Sequence, residues 1–251
     1  YSLQAIPALQ GIALSHRLER FPPFYVADIN DDRLSGPTPG LNTTDLDRQY
    51  IAFNNFPAGE KALQQIVEIH RRQAPQDQQA TFEAILALAD WHNLFGKNNT
   101  ANTLYAHLYE EMANNGDDPV AFFGQPELLY LPLPQNPKPP PVSKRQQVTT
   151  GSVQLGFQVS SSGRIRQLQT LASEPEGLMD FRVRRSMRLA IYRPMLLEGV
   201  AVAAEDQVYT HEFSYYPTAD QVLAASNEEE LPANADASDL AQPDLNTAEA
   251  E

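Results

Sequence analysis

Hydrophobic and polar residues follow two different periods along this chain, and the change of period divides it into two parts. In the first part, apolar residues recur every three to four positions, which is the spacing of amphipathic helices. The spacing predicts helices over residues 58–73, 77–95 and 100–114, each followed by a Gly or Pro stop signal. An earlier helical pattern over residues 3–18 contains Pro7 and Gly11, which predict a break in that helix.

The second part begins with the two-residue period of β-strands. Alternating apolar residues predict a strand over 152–159, a turn at Gly163 and a returning strand over 164–171. A helical stripe that begins at Met179 follows, and an aromatic strand over 207–216 completes the pattern. The predicted order is therefore strand, strand, helix, strand.

Short motifs occur at defined distances along this second part. They are Gly151-Ser-Val153, Phe157-x-Val159, Gly163, Ser173-x-Pro175, Tyr192-x-Pro194 and Gly199. Together they resemble the C-terminal domain of TonB-family energy transducers over residues ~150–216. The resemblance implies a small α+β (ββαβ) domain of the bacterial periplasm. It also implies a partner, because domains of this family add a short strand from an outer-membrane transporter to their sheet.

The last strand is the predicted partner-binding edge. Tyr209, His211, Phe213 and Tyr215 alternate onto one of its faces. An aromatic face of this kind also suits a strand that is covered by a helix, and both interpretations stay open. In either case the backbone edge is the part that can accept an extended peptide.

The predicted helix carries a second candidate surface. Arg182, Arg184, Arg185 and Arg188 fall away from its apolar stripe. This basic face suits contact with the acidic helical part, an acidic tail or anionic headgroups. The alternative is an ordinary solvated helix face.

The helices of the first part show a weaker resemblance to another family. The segment Leu88-Ala-Asp-Trp-His-x-Leu-Phe-Gly96, followed by Ala101, Tyr105 and Pro119, resembles a tetratricopeptide repeat, in which small residues let paired helices pack closely. A plain helical subdomain is the alternative, because fewer than three repeat units are recognisable.

Composition changes suggest where the domains end, so the fold class expected is multidomain. We expect an α-helical, tetratricopeptide-like domain over 1–130, a proline-rich linker over 131–149 and the TonB-like domain over 150–216. Residues 217–251 contain no Lys or Arg and nine acidic residues, which predicts a disordered acidic tail. The net charge of −14 argues against sequence-independent nucleic-acid binding.

The residues that carry most enzyme chemistry do not form recognisable motifs. The chain has no cysteine, and its five histidines lack metal-ligand spacing. Phosphate-binding loops and nucleophile motifs are also missing. We therefore expect no enzyme activity, no metal and no cofactor.

The sequence thus predicts a non-enzymatic, periplasmic protein-binding module that recognises an extended peptide of an outer-membrane or envelope partner. The first alternative is a structural adaptor in an envelope complex, with binding by the helical repeats and no energy transduction. The second is a hydrolase or metal protein whose site includes residues 1–57. No apolar run reaches the ~18 residues of a membrane span. An anchor for energy transduction would therefore come from a segment before Tyr1 or from a partner. The sequence leaves the partner's identity and the oligomeric state open.

Overall fold

The structure is a computed structural model that describes residues 2–24, 45–73, 77–145 and 147–218, except for the side chains of 45–54, Gln73 and Lys144. The described residues fall in two compact units. The first comprises residues up to 138 together with 150–214. The second comprises 139–149 and 215–218, and contains a 3₁₀ turn at Val142–Lys144 and the Arg145 guanidinium 5.6 Å from the centre of the Tyr216 ring.

Helices make up the first part of the described chain. They are α1 (Ile6–Arg20), α2 (Asp45–Gln73), α3 (Gln78–Leu94), α4 (Asn98–Asn115) and α5 (Val120–Phe123). The three predicted helices are confirmed, and α2 begins earlier than its apolar pattern indicated. Local sequence sets their ends: the Asp77 carboxylate accepts a hydrogen bond from the Ala80 amide at the start of α3. Gly116 ends α4 in the left-handed conformation, with φ 84°.

The predicted break in the first helix is wrong. Helix α1 runs without interruption through both Pro7 and Gly11. Pro7 lies in the first turn, where its missing N–H would have had no partner within the helix. Gly11 lowers helix propensity, but packing of α1 against α2 outweighs a cost of about 1 kcal/mol.

Close contact between α2 and α3 depends on small residues. A Cβ atom at Gly59 would lie only 2.1 Å from the Trp91 indole ring. The Trp91 indole N–H also donates a hydrogen bond to the Phe56 carbonyl, at 3.1 Å. Ala89 and Ala101 are fully buried where α3 packs on its neighbours. Small side chains therefore let these helices approach each other.

Strands dominate the region after α5. They are β1 (Glu127–Tyr130), β2 (Thr149–Val159), β3 (Ile165–Glu174), β4 (Ile191–Arg193), β5 (Met195–Leu197), β6 (Val200–Val202) and β7 (Ala204–Tyr215), with helix α6 (Asp180–Met187) between β3 and β4. The described strands form a three-stranded sheet of order β3-β2-β7 and two pairs, β1-β4 and β5-β6. The coarse prediction of N-terminal helices and a small sheet-rich C-terminal region is confirmed.

The three-stranded sheet buries one face under α6. Apolar residues of β2 point to that face, and Val153, Leu155 and Val159 are fully buried. Met179 and Val183, from the predicted helical stripe, are buried as well. Between α6 and β7 the chain forms three strands of three residues each, which were not predicted because runs this short show no measurable period.

The proline-rich segment contains neither helix nor strand from Leu131 to Pro141. Its beginning lies against α6, where the Ser186 hydroxyl donates to the Pro132 carbonyl. The Arg182 guanidinium donates to the carbonyls of Gln135 and Asn136. The first part of this segment is therefore attached to the sheet region. The predicted domain boundaries stay a prediction.

Residues 36–40, where two glycines and two prolines predict a loop, lie outside the described residues, and so does most of the predicted acidic tail, since the description ends at Thr218. The sequence also favours a strand or an extended segment over residues 21–29, and this stretch is described only as far as Phe24. Phe24 forms an isolated parallel bridge with Leu133.

Candidate functional site: the outer strand of the sheet and its attachments

Strand β7 is an outer strand of the three-stranded sheet, as the sequence predicted for a partner-binding edge. It is the longest strand described, with 12 residues. Aromatic residues alternate along it, and such residues favour a half-buried strand. Its length and its outer position make β7 the candidate strand for peptide binding.

The four predicted edge residues point to the covered side of the sheet. His211 and Phe213 are buried, while Tyr209 and Tyr215 are half-buried. The His211 ring stacks between Tyr209 and Phe213, with centroid distances of 6.4 Å on both sides. Burial lowers the pKa of His211 and raises that of Tyr209. These side chains therefore belong mainly to the core, and a partner could reach only the backbone and the opposite face.

The opposite face of β7 is exposed and, apart from Val208, polar. Val208, Thr210, Glu212 and Ser214 alternate with the aromatic residues and are exposed. Acidic Glu205 stands near the start of the strand, where it accepts a hydrogen bond from Gln158 of β2. A segment added beside β7 would thus lie next to small polar and acidic side chains.

Each outer strand has one left-handed residue close to its beginning. The pairing of β3 with β2 shifts register twice, and Gln167 of β3 has φ 52°. In β7 the left-handed residue is Asp206, φ 53°, close to the beginning of the strand. The nine residues from Gln207 to Tyr215 are free of positive φ. Bulges discourage edge pairing, so the register shifts of β3 make its edge less suited to an added strand.

Gly151 of the sequence motif has a steric role beside this edge. A Cβ atom there would lie 2.5 Å from the Glu174 carbonyl oxygen and 2.6 Å from the Phe213 ring. Only glycine leaves room for both the backbone of β3 and an aromatic side chain of β7. Gly151 therefore permits close packing of all three strands.

The four arginines of α6 separate into different environments. Arg182 binds carbonyls of the proline-rich segment, and the Arg184 guanidinium lies 3.5 Å from the Leu168 carbonyl oxygen of β3. Arg185 is half-buried, whereas Arg188 is exposed. Two of the four predicted surface cations thus contact backbone carbonyls of their own chain.

A buried ion pair joins the helices to the strands, and sequence reasoning missed it. The Arg193 guanidinium of β4 donates to both carboxylate oxygens of Asp90 in α3, at 2.9 and 2.7 Å. The Tyr105 hydroxyl of α4 donates to the same carboxylate at 2.8 Å. Burial alone would lower the pKa of Arg193, but the hydrogen bonds and charge of Asp90 raise it. Burial raises the pKa of Tyr105. The feature of the sequence that could have revealed this ion pair is a basic residue within the buried strand Ile191–Arg193.

A second attachment lies next to this ion pair. The buried Asn93 amide donates to the Tyr192 carbonyl at 2.7 Å. The Tyr192 amide donates to the Gly163 carbonyl at 2.9 Å. A Cβ atom at Gly163 would lie 1.9 Å from the Tyr192 carbonyl oxygen. Burial, with a smaller contribution from Tyr209, raises the pKa of Tyr192 to about 12. We call Asp90, Asn93, Gly163, Tyr192 and Arg193 the junction.

A scan against protein-family models and a search of curated proteins both return no match. Among the described residues, no three His, Asp or Glu side chains are grouped so that they could hold a metal ion. None of the described helices combines the length and the apolar character needed to cross a membrane.

Proposed function

We propose that this chain is a non-enzymatic protein-binding module of the bacterial periplasm that binds an extended peptide as an added strand along β7. The spacing of short motifs over residues ~150–216 resembles that of the TonB C-terminal domain, which suggests an outer-membrane or envelope protein as the partner. Energy transduction would further require an inner-membrane anchor, supplied by another segment or by a partner.

The observation that carries this proposal is the position of β7. An outer strand has one row of N–H and C=O groups directed away from its neighbour, and an extended peptide can pair with that row. The stretch from Gln207 to Glu212 is long enough for several such pairs, and the bulges of β3 make the opposite edge less suitable. Specificity would come from the exposed side chains of Val208, Thr210 and Glu212.

A structural adaptor with tetratricopeptide-like helices is the second candidate function. The close packing of Gly59 against Trp91 favours it, because paired helices with small contact residues are typical of such repeats. Here the partner would bind the helices, and strand β4 would support them through the Asp90–Arg193 pair.

Peptide selection followed by hydrogen exchange distinguishes the two candidates. The full chain is immobilised and used to select binders from a random peptide library, and amide exchange is then measured with and without a selected peptide. Strand addition predicts slower exchange within residues 204–215. Slower exchange confined to α2, α3 and α4 would contradict strand addition and support the adaptor. Absence of any binder would contradict both.

Matched variants of the two outer strands sharpen this test. Thr210→Pro removes an N–H from β7 and places a ring at the edge, so peptide affinity should fall at least about tenfold. Gln169→Pro makes the same change on β3 and should leave affinity within about twofold of the unmodified chain. Circular dichroism must show both variants folded; Thr210→Lys, a milder edge-blocking change, replaces Thr210→Pro if that variant unfolds. Equal effects of the two changes would exclude β7 as the specific edge.

A further inference from the structure

A cleft of about 700 Å³ lies beside the junction, between the helices and the strands of the first unit. Its lining residues include Phe21, Phe56, Phe95, Tyr130, Leu189 and Ile191, together with the cations Arg20, Lys97 and Arg164. Small-molecule sites commonly have a volume of this order, with mostly apolar walls and a few polar groups.

The aromatic wall of the cleft is held together by ring contacts. Phe21 lies edge-on to Phe95, with ring centroids 5.2 Å apart, and also contacts Tyr130 at 5.1 Å. Phe56 contacts Phe95 at 5.3 Å. These four rings are only half-buried, so their remaining faces are available to a ligand. The wall therefore suits an apolar or aromatic body.

Three cations reach the same cleft from distant parts of the sequence. Arg20 is the last residue of α1, Lys97 immediately precedes α4, and Arg164 follows the turn between β2 and β3. The Lys97 Nζ atom lies 4.3 Å from the centre of the Phe56 ring, and the Arg20 guanidinium lies 5.6 Å from that of Phe21. The fold thus concentrates positive charge at the rim of an aromatic wall.

Among the residues that the structure describes, none of these three cations forms an ion pair with a carboxylate. The lining residues include neither Asp nor Glu, and the ion pairs of the described residues do not involve Arg20, Lys97 or Arg164. Burial lowers the pKa of Arg164, with no opposing contribution from an acidic neighbour. In a chain with a net charge of −14, such a local excess of cations is unusual and favours an anionic ligand.

We propose that this cleft binds a small organic acid in its ionised form. The carboxylate would lie between Lys97 and Arg164, and an aromatic or branched apolar body would pack on Phe21, Phe56 and Phe95. The planar guanidinium of Arg164 can donate two parallel hydrogen bonds to a carboxylate, while Lys97 contributes a flexible point charge. This site does not include the β7 edge, so a test of ligand binding in the cleft does not depend on whether β7 binds a peptide.

A competition experiment on the full chain tests the proposal. The reporter is the fluorescence of 8-anilinonaphthalene-1-sulfonate, an aromatic anion, and the competitors are 1-naphthoate and the uncharged 1-naphthamide. We expect saturable binding of the reporter, with naphthoate displacing it at a concentration at least about tenfold lower than naphthamide does. Similar displacement by both competitors, or no saturable binding, would overturn the proposal.

Variants test whether the preference for the anion arises in this cleft. In the double variant Arg164→Gln with Lys97→Gln, the concentrations at which naphthoate and naphthamide displace the reporter should differ by no more than about twofold. Arg71→Gln removes an exposed cation at the far end of α2, about 20 Å along the helix from Phe56, and should leave the two concentrations unchanged. If naphthoate still displaces the reporter from the double variant at a much lower concentration than naphthamide does, the anion binds elsewhere and the proposal is refuted.

A third variant fills the cleft without changing its charge. Leu189→Trp enlarges a partly exposed lining residue and should weaken displacement by both competitors. Thermal unfolding of each variant checks that the fold is retained. Unchanged competition by a folded Leu189→Trp variant would show that the ligands bind outside the cleft.

Discussion

The junction and the cleft are adjacent regions between the same helices and strands, but they differ in how tightly their residues pack and in whether their charged groups form ion pairs. In the junction, Arg193 binds both oxygens of Asp90, and Gly163 leaves no room for even one methyl group. In the cleft, about 700 Å³ stays open and Arg164 has no described acidic partner. Tight packing with paired polar groups stabilises the fold, whereas an open cleft lined by cations without described ion pairs can bind a ligand.

The largest effect should follow from breaking the ion pair of the junction. Arg193→Gln leaves the mostly buried Asp90 carboxylate without its cation. Because an uncompensated buried charge is costly, we expect the free energy of unfolding to fall by about 3 kcal/mol. Urea denaturation, followed by circular dichroism, measures this change.

The same substitution in the cleft provides the matched control. Arg164→Gln removes a half-buried cation that has no described ion pair, so stability should change by less than about 0.5 kcal/mol. Equal losses of stability from the two substitutions would contradict the distinction between a structural junction and a binding cleft.

A smaller loss should follow from adding one methyl group to the junction. Gly163 has φ 72°, and an added Cβ atom would overlap the Tyr192 carbonyl oxygen. Gly163→Ala should therefore cost about 2 kcal/mol or more, since conformational strain and steric overlap add. Gly177→Ala is the control: Gly177 has φ 76° but no neighbouring atoms, so strain alone should cost about 1 kcal/mol. If both variants melt at the same temperature, steric overlap in the junction is unimportant.

The smallest effect is the pH dependence of stability, and it arises from His92, which lies beside the cleft. His92 contacts Phe56 of the cleft wall, and burial lowers its pKa below 6.5, although Glu60 at 3.3 Å opposes this. As the pH falls below 6.5, the unfolded chain therefore takes up the proton before the folded chain does, and stability decreases. We expect a loss of about 1 kcal/mol between pH 7.5 and 5.5, bounded by about 1.4 kcal/mol per pH unit.

Replacing the imidazole isolates its contribution. In His92→Gln the loss of stability between pH 7.5 and 5.5 should shrink, because a glutamine does not titrate. His211, whose pKa burial also lowers, would account for part of the remaining dependence. Identical pH profiles for the variant and the unmodified chain would exclude His92 as a source of the effect.

Much of the secondary structure was predictable, because periodicity and end signals are local properties of the sequence. Asp77 and Gly116 mark helix ends through contacts within a few residues, and the alternation of Val153, Leu155 and Val159 identified β2. The continuous helix α1 was missed because its packing on α2 is not local. Pro7 and Gly11 were therefore given too much weight.

The four predicted edge residues all lie on β7, but the sequence did not determine their environment. The alternation from Tyr209 to Tyr215 predicted one common face, and the structure puts that face on the covered side of the sheet. The peptide-binding role of the β7 edge stays a prediction. For the arginines of α6, only the structure revealed that Arg182 and Arg184 contact backbone carbonyls.

The sequence by itself determined the helical first part, the sheet-rich character of the second part and the acidic character of the chain, since each depends on neighbouring residues or composition. Tertiary structure alone decided which distant charges meet. Arg193 pairs with Asp90 across 103 positions, while Arg20, Lys97 and Arg164 converge without a described acid. The physical reason is that a charge acts over a few ångströms of space, and distances of this kind are fixed only when helices and strands pack together.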